Sequence, residues 1–526
     1  MNFFDMMKEV NDFTYTENGA GAYRSTGNAV LDAFGSLGGM MHCDATSILN
    51  AFIKAFKEDK DLSMRMLFYF RDVRGGQGMR RLFRIILRYL AENYPEYVIH
   101  NMDNILFFGR GDDYLVLLGT PCEKPMIDFI RQTIAEDMFE VGQGRSCSLL
   151  AKWLPSENTS SQETRALATK IRRGLGMSSK EYRKVLSFLR KNIDVVERKM
   201  SANEWDEIDF NKIPSKASMI YSDAFFQHVK KNYIEYLKGL ATGDSKINAG
   251  ALFPVDIIHK VMSDLYHPSA KDIIIQSALW DALPDYFAGK AESGICVVDT
   301  SGSMSGQPIE VALSLGMYCA DKCRGPYHGK FITFSSNPAL QEIKGTNIYE
   351  KVNHMQRSDW GMNTNLEKVF DLILNTAIKN HCKQSDIPAK LYIISDMQFD
   401  AATNSYSYGY DSRGRRTMKS NNNMTFMDQM RQKYADHGYM IPAIVYWNVR
   451  ASKCGMFQQR FRFGDTDCCM VSGYSPSLFK AVIEGTEYEE VINEYGKVEI
   501  KQKIDPMTVM LTTLNNERYN RVWGGQ

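Results

Sequence analysis

Before about residue 290, apolar residues recur every three or four positions, in segments of medium length separated by short polar or glycine-rich connectors. This spacing puts the apolar side chains on one face of a helix and predicts a series of amphipathic α-helices. The clearest segments are 47–56, 62–70, 79–93, 126–136, 180–200 and 223–240. Because no long strand-like alternation interrupts them, we expect an array of helix hairpins, although no fixed repeat period is visible.

Beyond residue 290, short apolar runs alternate with helical segments. The runs 295–298, 330–334, 391–394, 441–447 and 470–472 predict buried strands. The segments 308–322, 366–378, 426–434 and 476–483 predict helices. This alternation is typical of a doubly wound, mostly parallel sheet. Residues 401–424 are polar and have almost no aliphatic side chains, which predicts a long mobile loop.

The change of pattern predicts a multidomain protein, since 526 residues are too many for one compact core. We assign residues 1–288 to an α-helical, HEAT-like repeat domain and residues 289–488 to an α/β, Rossmann-like domain. Residues 489–526 form a tail that we expect to pack on the helical domain. The tail contains a short predicted strand at 498–504, followed by a helix that begins near Asp505.

Composition excludes several classes of protein. Hydrophobic residues make up 44% of the chain, charged residues 24%, and the net charge is +1, as in an ordinary globular protein rather than a disordered or globally basic one. The ten cysteines form no CxxC pair and the nine histidines no HExxH motif, so we expect buried thiols and no zinc site. With no signal-peptide pattern and no apolar run of about 18 residues, we predict a cytoplasmic protein without a membrane segment.

The motif DTSGS at residues 299–303 directly follows the first predicted strand of the α/β half. Folds of this type bind ligands there, at the carboxyl ends of parallel strands. One carboxylate and two hydroxyls are hard oxygen ligands that suit Mg²⁺ or Mn²⁺ rather than Zn²⁺, and Gly302 permits a tight turn. The alternative is a serine-rich turn that caps the helix starting at Pro308. No nucleophile–base pair or GK[ST] phosphate loop accompanies the motif, so we predict no enzymatic activity.

The segment ICVVDTSGS resembles the metal-ion-dependent adhesion site of von Willebrand factor A domains. That family adds a threonine from a second loop and an aspartate after a later strand. The stretches GMNTNL and IISD resemble these two elements, in the family's order. The resemblance implies a site for Mg²⁺ or Mn²⁺ formed by Asp299, Ser301, Ser303, Thr364 and Asp396.

A helical array followed by such a domain resembles the Ro autoantigen class, whose TROVE-type ring of helical repeats binds RNA. The stretches 16–20, 71–76, 108–113, 152–156 and 214–217 match an uncharacterised Ro-related family more closely, over nearly the full chain. The resemblance implies a non-enzymatic, ribonucleoprotein-type protein that binds small structured or misfolded RNA. The alternative is a protein–protein adaptor or scaffold, whose metal site grips an acidic residue of a partner.

Local charge favours the RNA hypothesis. Residues 165–200 contain eleven Lys and Arg against three acids, a net charge of about +8, and three basic pairs recur along one predicted helix. A basic stripe of this length indicates an electrostatic footprint for phosphates. A solvated helix face, or one paired with acids elsewhere in the chain, is the alternative. The candidate RNA-binding residues in this segment are Arg172, Arg173, Lys180, Arg183, Lys184, Arg190 and Lys191.

A second basic set follows the glycine-rich connector at residues 75–78. Arg81, Arg84 and Arg88 share one face of the predicted helix, with aromatic residues close in sequence. Arginines beside aromatic rings can hold unstacked bases, and the glycines can bring backbone N–H groups near a phosphate. The alternative is a loop in which these glycines only turn the chain.

Overall fold

The structure is a computed structural model. It describes residues 13–15, 21–193, 195–287, 293–334, 338–357, 365–399, 406–410, 416–420, 426–451, 467–492 and 498–525. The described residues form two compact units. The helical unit comprises Asp44–Leu252, Ala270–Leu283 and Leu514–Gln526. The α/β unit comprises Met1–Cys43, Phe253–Ser269 and Pro284–Thr513, so it includes two segments from the part of the chain before residue 270.

Helices dominate the described residues before 290, as the periodicity predicts. Two short antiparallel strands come first, β1 (Phe13–Tyr15) and β2 (Gly21–Tyr23). The helices that follow are α1 Ala29–Leu37, α2 Ala45–Glu58, α3 Lys60–Arg71, α4 Arg80–Asn93, α5 Pro95–Ile99, α6 Met102–Phe108, α7 Glu123–Gly142, α8 Leu150–Trp153, α9 Gln162–Leu175, α10 Ser179–Asn192, α11 Val196–Ser201, α12 Ser215–His228, α13 Lys230–Thr242, α14 Pro254–Ser263 and α15 Ala270–Asp281.

After residue 290, strands and helices alternate. The strands are β3 Gly294–Asp299, β4 Lys330–Phe334, β5 Leu340–Glu342, β6 Lys390–Ser395, β7 Tyr406–Tyr410, β8 Arg416–Ser420, β9 Ala443–Asn448, β10 Cys468–Ser472, β11 Thr486–Ile492 and β12 Val498–Ile504. The helices are α16 Gln307–Lys322, α17 Ile348–Gln356, α18 Leu366–Lys379, α19 Phe426–Ala435, α20 Ser477–Glu484 and α21 Pro506–Leu514. The prediction of a helix-rich region followed by an α/β region is therefore confirmed.

The α/β unit is built on a six-stranded mixed sheet in the order β10-β9-β6-β3-β4-β5. Its first five strands are parallel and β5 is an antiparallel edge strand. Every residue of β3, β6 and β9 is buried, which explains their nearly continuous apolar sequences. Helix α16 packs closely on this sheet at Gly316, where an added Cβ would lie 2.5 Å from Val298 Cγ2.

Side-chain caps at the helix starts and buried aromatic rings between the helices stabilise the helical unit. Asp44 and Asp59 accept backbone hydrogen bonds at the starts of α2 and α3, and Ser178 forms a capping box with Glu181 at the start of α10. Between the helices lie fully or nearly fully buried rings, including Phe52, Phe56, Phe68, Phe83 and Phe108. The predicted amphipathic segments thus bury their apolar faces against one another.

A buried ion cluster joins α3, α4 and a 3₁₀ turn at Gly111–Leu117. Asp113 has no exposed surface and accepts hydrogen bonds from Arg71 Nε at 2.8 Å and Arg84 Nε at 2.6 Å. Its Oδ2 also accepts the backbone N–H of Arg110 at 3.0 Å. One buried carboxylate therefore binds two arginines from different helices of the unit.

Three predictions of local structure are wrong. The helix predicted at 180–200 is two helices, because Ile193 and Val195 adopt extended backbone angles, as β-branched residues favour. The helix predicted at 223–240 divides at Val229 into α12 and α13. Within 401–424, predicted as a loop, β7 and β8 pair in antiparallel register, and tyrosine at every second position of β7 is typical of a strand.

Among the residues that the structure describes, no helix combines the length and the apolar character needed to cross a bilayer.

Candidate metal centre and basic pockets

The candidate metal residues lie where neighbouring parallel strands end. Strand β3 ends at Asp299, strand β6 ends at Ser395, and the register Val298↔Ile394 places these two ends side by side. Asp396 follows β6 directly. Strand pairing thus brings two distant sequence motifs to one edge of the sheet.

Asp299 is held by neutral donors. The backbone N–H of Ser301 donates to Oδ1 at 2.9 Å, and the hydroxyl of Ser395 donates to Oδ2 at 2.5 Å. The carboxylate has no exposed surface, and no cationic side chain among the described residues pairs with it. Burial, followed by the charge of Asp396, raises the pKa of Asp299 to about 6. A nearby cation would therefore stabilise the ionised form.

The two serine hydroxyls have the separation that an octahedral ion requires. Ser301 Oγ and Ser303 Oγ lie 3.0 Å apart. Two adjacent oxygen ligands of Mg²⁺, each about 2.1 Å from the ion, lie about 3.0 Å apart. The backbone carbonyl of Ser303 accepts a hydrogen bond from Arg450 Nη1, which fixes the loop at its outer end. The residues present therefore fit a small divalent cation.

Asp396 contributes the second carboxylate. It is 4% exposed, and the backbone N–H of Gln398 donates to its Oδ1 at 3.2 Å. Between these residues, Met397 has a φ of 66°, in the left-handed region that residues other than glycine rarely adopt. This strained turn holds Asp396 close enough for its charge to act on Asp299.

Of the five predicted metal residues, Thr364 lies outside the described residues. The structure brings together Asp299, Ser301 and Ser303, with Asp396 nearby. Among the described residues, no group of three or more His, Cys, Asp or Glu side chains is placed to hold a metal ion. The candidate centre differs from such a group because it combines two carboxylates with hydroxyls.

A basic pocket of about 970 Å³ lies beside α4 in the helical unit. Its lining is Ala45, Leu49, Arg80, Arg81, Arg84, Ile85, Arg88, Tyr89, Glu92 and Val116. The predicted set Arg81, Arg84 and Arg88 is therefore brought together, with Arg80 and the ring of Tyr89. Burial, followed by the charges of the neighbouring Arg110 and Arg84, lowers the pKa of Arg80. A ligand phosphate here would relieve repulsion between like charges.

Two arginines of this pocket also hold the fold. Arg84 pairs with Asp113 and with Asp112 at 2.9 Å. Arg88 donates to the carbonyls of Val116 and Leu118 and pairs with a glutamate one turn later. Arg81 is exposed at the pocket wall. The guanidinium groups of Arg84 and Arg88 are thus held in position by these contacts.

A second pocket, of about 600 Å³, lies beside α10. It contains four predicted RNA-binding residues, Lys180, Arg183, Lys184 and Arg190. Of these, the two lysines and Arg183 are exposed. Part of the predicted basic stripe therefore shares one concave surface.

The remaining basic residues divide into structural and exposed groups. Arg190 is turned inward and donates to the carbonyls of Ala151 and Leu154 at 2.8 and 2.7 Å. Arg172 pairs with Glu157 at 2.7 Å. The pair at 198–199 lies on α11 and not on α10, so the single-helix stripe over 183–199 is a wrong prediction. Arg173 and Lys191 are exposed.

Comparison with known proteins gives matches over both halves of the chain. The first half, at 16–108 and 128–283, matches the Domain of unknown function DUF2828, and residues 293–514 match the Domain of unknown function DUF7788. "Uncharacterized protein L728" of Acanthamoeba polyphaga mimivirus is 31% identical over 517 residues, covering 91% of this chain and 86% of the viral protein. The chain belongs to the same family as this uncharacterised viral protein, and it contains a DUF2828 domain in the region before residue 284. These matches give neither a Ro-type nor a von Willebrand A-type assignment.

Sequence reasoning missed two residues of the candidate centre. Ser395 is fully buried, donates to Asp299 and accepts the backbone N–H of Met397 at 3.0 Å. The sequence feature that could have indicated Ser395 is its position between an apolar strand and an aspartate. Arg450 comes after β9 and reaches the carbonyl of Ser303, a contact across 147 positions that no local pattern indicates.

Proposed function

We propose that this chain is a non-enzymatic RNA-binding protein of the Ro type, with a Mg²⁺ or Mn²⁺ ion in a von Willebrand A-type domain. The observation that carries the RNA part is the basic pocket beside α4, which combines four arginines with a tyrosine ring. Guanidinium groups bind phosphates and stack on bases, and an aromatic ring accepts an unstacked base. The ligand class is small structured or misfolded RNA with accessible single-stranded parts.

A salt titration with a charge-reversed protein tests the RNA proposal. The variant reverses six exposed basic residues to glutamate: Arg81, Arg173, Lys180, Arg183, Lys184 and Lys191. Wild-type affinity for a small structured RNA should fall steeply with salt, with a log–log slope of about 0.7 to 0.9 per phosphate neutralised. The variant should lose most of the binding and most of the slope.

The control for this titration is Lys212→Glu, since Lys212 is 81% exposed and lies outside both basic pockets. It should leave the affinity and the slope nearly unchanged. Binding that does not depend on salt, or that survives the sixfold reversal, would overturn the RNA proposal.

The proposed ion site rests on the 3.0 Å separation of the Ser301 and Ser303 hydroxyls beside the buried Asp299 carboxylate. Asp299 and Asp396 would compensate the ion's charge, and Thr364 is carried over from the family resemblance as a further ligand. When bound, the ion would supply a Lewis-acidic position for an acidic group. Calorimetric titration of Mg²⁺ into the wild-type protein and into Asp299→Asn tests this site. We expect Mg²⁺ to bind to the wild type and not to the variant.

A protein–protein adaptor is the second candidate function. Gly302 and Ser303 are exposed beside the buried carboxylates, so an ion held there would be reachable by an acidic side chain of a partner. An adaptor should capture a protein partner only with Mg²⁺ present, and Asp299→Asn should abolish that capture. Under the RNA proposal, Asp299→Asn leaves RNA affinity nearly unchanged, so one variant separates the two functions.

A further inference from the structure

The C-terminal segment of the chain lies in a groove of the helical unit. Residues 515–525 run along α3, α5 and α6, and they form only a single 3₁₀ turn, Glu517–Tyr519, within the described residues. We call this segment the tail peptide and its binding surface the tail groove. An irregular segment held in this way has the form of a bound peptide rather than that of another helix of the array.

Two buried asparagines bind the backbone of the tail peptide. Asn101 donates from Nδ2 to the Trp523 carbonyl at 2.8 Å, and its Oδ1 accepts the Trp523 N–H at 2.9 Å. Asn104 donates to the Arg521 carbonyl at 3.1 Å and to Asn101 Oδ1 at 2.8 Å. Each asparagine is 1% exposed. Such main-chain bonds hold an extended peptide whatever its side chains are.

The tail groove also recognises particular side chains near its first end. Tyr519 is 2% exposed, and its ring packs on Tyr69 and Phe108 at centroid distances of 6.0 and 5.5 Å. Its hydroxyl donates to Asp72 Oδ2 at 3.2 Å. Arg518 forms two hydrogen bonds with the same carboxylate. One buried aspartate therefore selects an Arg-Tyr pair.

At the other end, a tryptophan and a second arginine are recognised. The Trp523 ring stacks on His100 at 4.2 Å and packs on Tyr97 at 5.0 Å. Arg521 lies over the ring of Phe107 at 3.9 Å and pairs with Asp103 at 2.6 Å. These contacts define the pattern Arg-Tyr-x-Arg-x-Trp, in which spacing and chemistry are both fixed.

One acceptor of the tail groove is not used by the tail peptide. Asn104 Oδ1 is buried and accepts no hydrogen bond from the described residues. A buried carbonyl without a donor is destabilising, because nothing compensates for the water that it has lost. A peptide that offers an N–H group at this point would therefore bind better than the chain's own tail.

We propose that the tail groove is a peptide-recognition site for short extended peptides with the pattern Arg-Tyr-x-Arg-x-Trp, which the chain's own tail occupies in cis. Recognition combines main-chain bonds with side-chain pockets, as in other peptide-binding domains. A tethered ligand has an effective concentration of about millimolar, so it excludes free peptides of similar intrinsic affinity. A better ligand, or a weakened tail, opens the site.

Fluorescence anisotropy on the full chain tests this proposal. The probe is a labelled synthetic peptide with the sequence of residues 515–526, and Trp523→Ala weakens the cis tail without changing the groove. The variant should bind the probe at least about tenfold more tightly than the wild type does, because its tail competes less. Adding Asn104→Ala to the variant should weaken probe binding again by about tenfold, since the bond to the peptide carbonyl at Arg521 is lost and Asn101, the other backbone-binding residue, loses the donor that orients it.

Matched controls make either outcome informative. A scrambled probe should not bind, and Asn192→Ala, which alters an exposed asparagine on α10, should leave probe binding unchanged. If circular dichroism shows that Trp523→Ala has unfolded, Arg521→Ala replaces it in the same titration, because its ion pair is partly exposed. Equal probe affinity for wild type and folded variant, or equal binding of the scrambled probe, overturns the proposal.

Discussion

The helical unit and the α/β unit each bury one aspartate completely, and they hold the two carboxylates in different ways. Asp113 in the helical unit pairs with Arg71 and Arg84, at 2.8 and 2.6 Å. Asp299 in the α/β unit accepts from the Ser395 hydroxyl and from a backbone N–H, and no cationic side chain among the described residues pairs with it. The first charge is compensated within the unit, and the second is only solvated by dipoles.

This difference separates a structural role from a binding role. Burial of a carboxylate costs several kcal/mol, which an ion pair offsets only when its geometry is good. The cluster around Asp113 meets that condition and needs no ligand. At Asp299, where burial and Asp396 raise the pKa to about 6, a divalent cation would provide the missing compensation.

The largest expected effect is on Asp113. Asp113→Asn leaves the guanidinium of Arg71, which is 4% exposed, as a buried charge without its partner. We expect the free energy of unfolding to fall by about 3–5 kcal/mol. Guanidinium denaturation, followed by circular dichroism, measures this change.

Asp112→Asn is the control for Asp113→Asn. The Asp112 carboxylate is 19% exposed and pairs with the partly exposed Arg84 and Arg110. Its replacement should lower the free energy of unfolding by about 1 kcal/mol, because solvent screens the pairs. If the two variants are equally stable, the buried cluster does not have the structural role described.

The corresponding change in the α/β unit should act through Mg²⁺ alone. At a Mg²⁺ concentration one hundred times Kd, wild type should gain about 2.7 kcal/mol in free energy of unfolding, and Asp299→Asn should gain nothing. With EDTA, the variant should be at least as stable as wild type, because a buried charge has been removed. A variant that is unfolded in EDTA would make Asp299 structural, like Asp113.

Acid should weaken Mg²⁺ binding. The raised pKa of Asp299, about 6, means that its carboxyl is protonated below that pH and ionised above it. Because a proton competes with the cation, Mg²⁺ affinity should be constant above about pH 6 and fall about tenfold per pH unit below it. Calorimetric titrations on both sides of pH 6 measure this. Unchanged affinity at about pH 5 contradicts a role for Asp299 in binding.

The smallest expected effect is at Ser395, which positions Asp299. Ser395→Ala removes the hydroxyl donor to the carboxylate and the acceptor for the N–H of Met397. We expect Mg²⁺ affinity to fall about tenfold, as for other residues that orient metal ligands. Ser314→Ala on α16 is the matched control, since that serine is also buried but bonds only within its helix. Equal Mg²⁺ affinities of the two variants would remove Ser395 from the site.

Local patterns predict the elements of this fold well. The predicted strands 330–334 and 498–504 have the bounds observed for β4 and β12, because runs of β-forming residues end at turn residues. Helix α16 begins one residue before the prediction, where proline stands in the first turn. The strand-end position of Asp299 follows from the same local signal.

What the sequence does not predict depends on contacts between distant residues. Arg190 reads as part of an exposed basic stripe, yet the carbonyls of Ala151 and Leu154 draw it inward. The tail groove pairs Asn101 with Trp523 across 422 positions. Charge and periodicity describe one segment at a time, so they give the candidates for a site but not which of them the fold uses internally.

The short helix α1 has a consequence for how the protein is made. Gly38 at its end donates its backbone N–H to Ser472 Oγ at 2.9 Å, across 434 positions, and an added Cβ there would lie 2.3 Å from the Ser472 carbonyl oxygen. At about 5–20 residues per second, a ribosome needs about 20–90 s to synthesise the chain between these partners. The segments of the helical unit that precede residue 284 are complete within that interval, while α1 waits for strand β10. A deletion of residues 1–43 would therefore leave the last-formed edge of the α/β sheet uncovered.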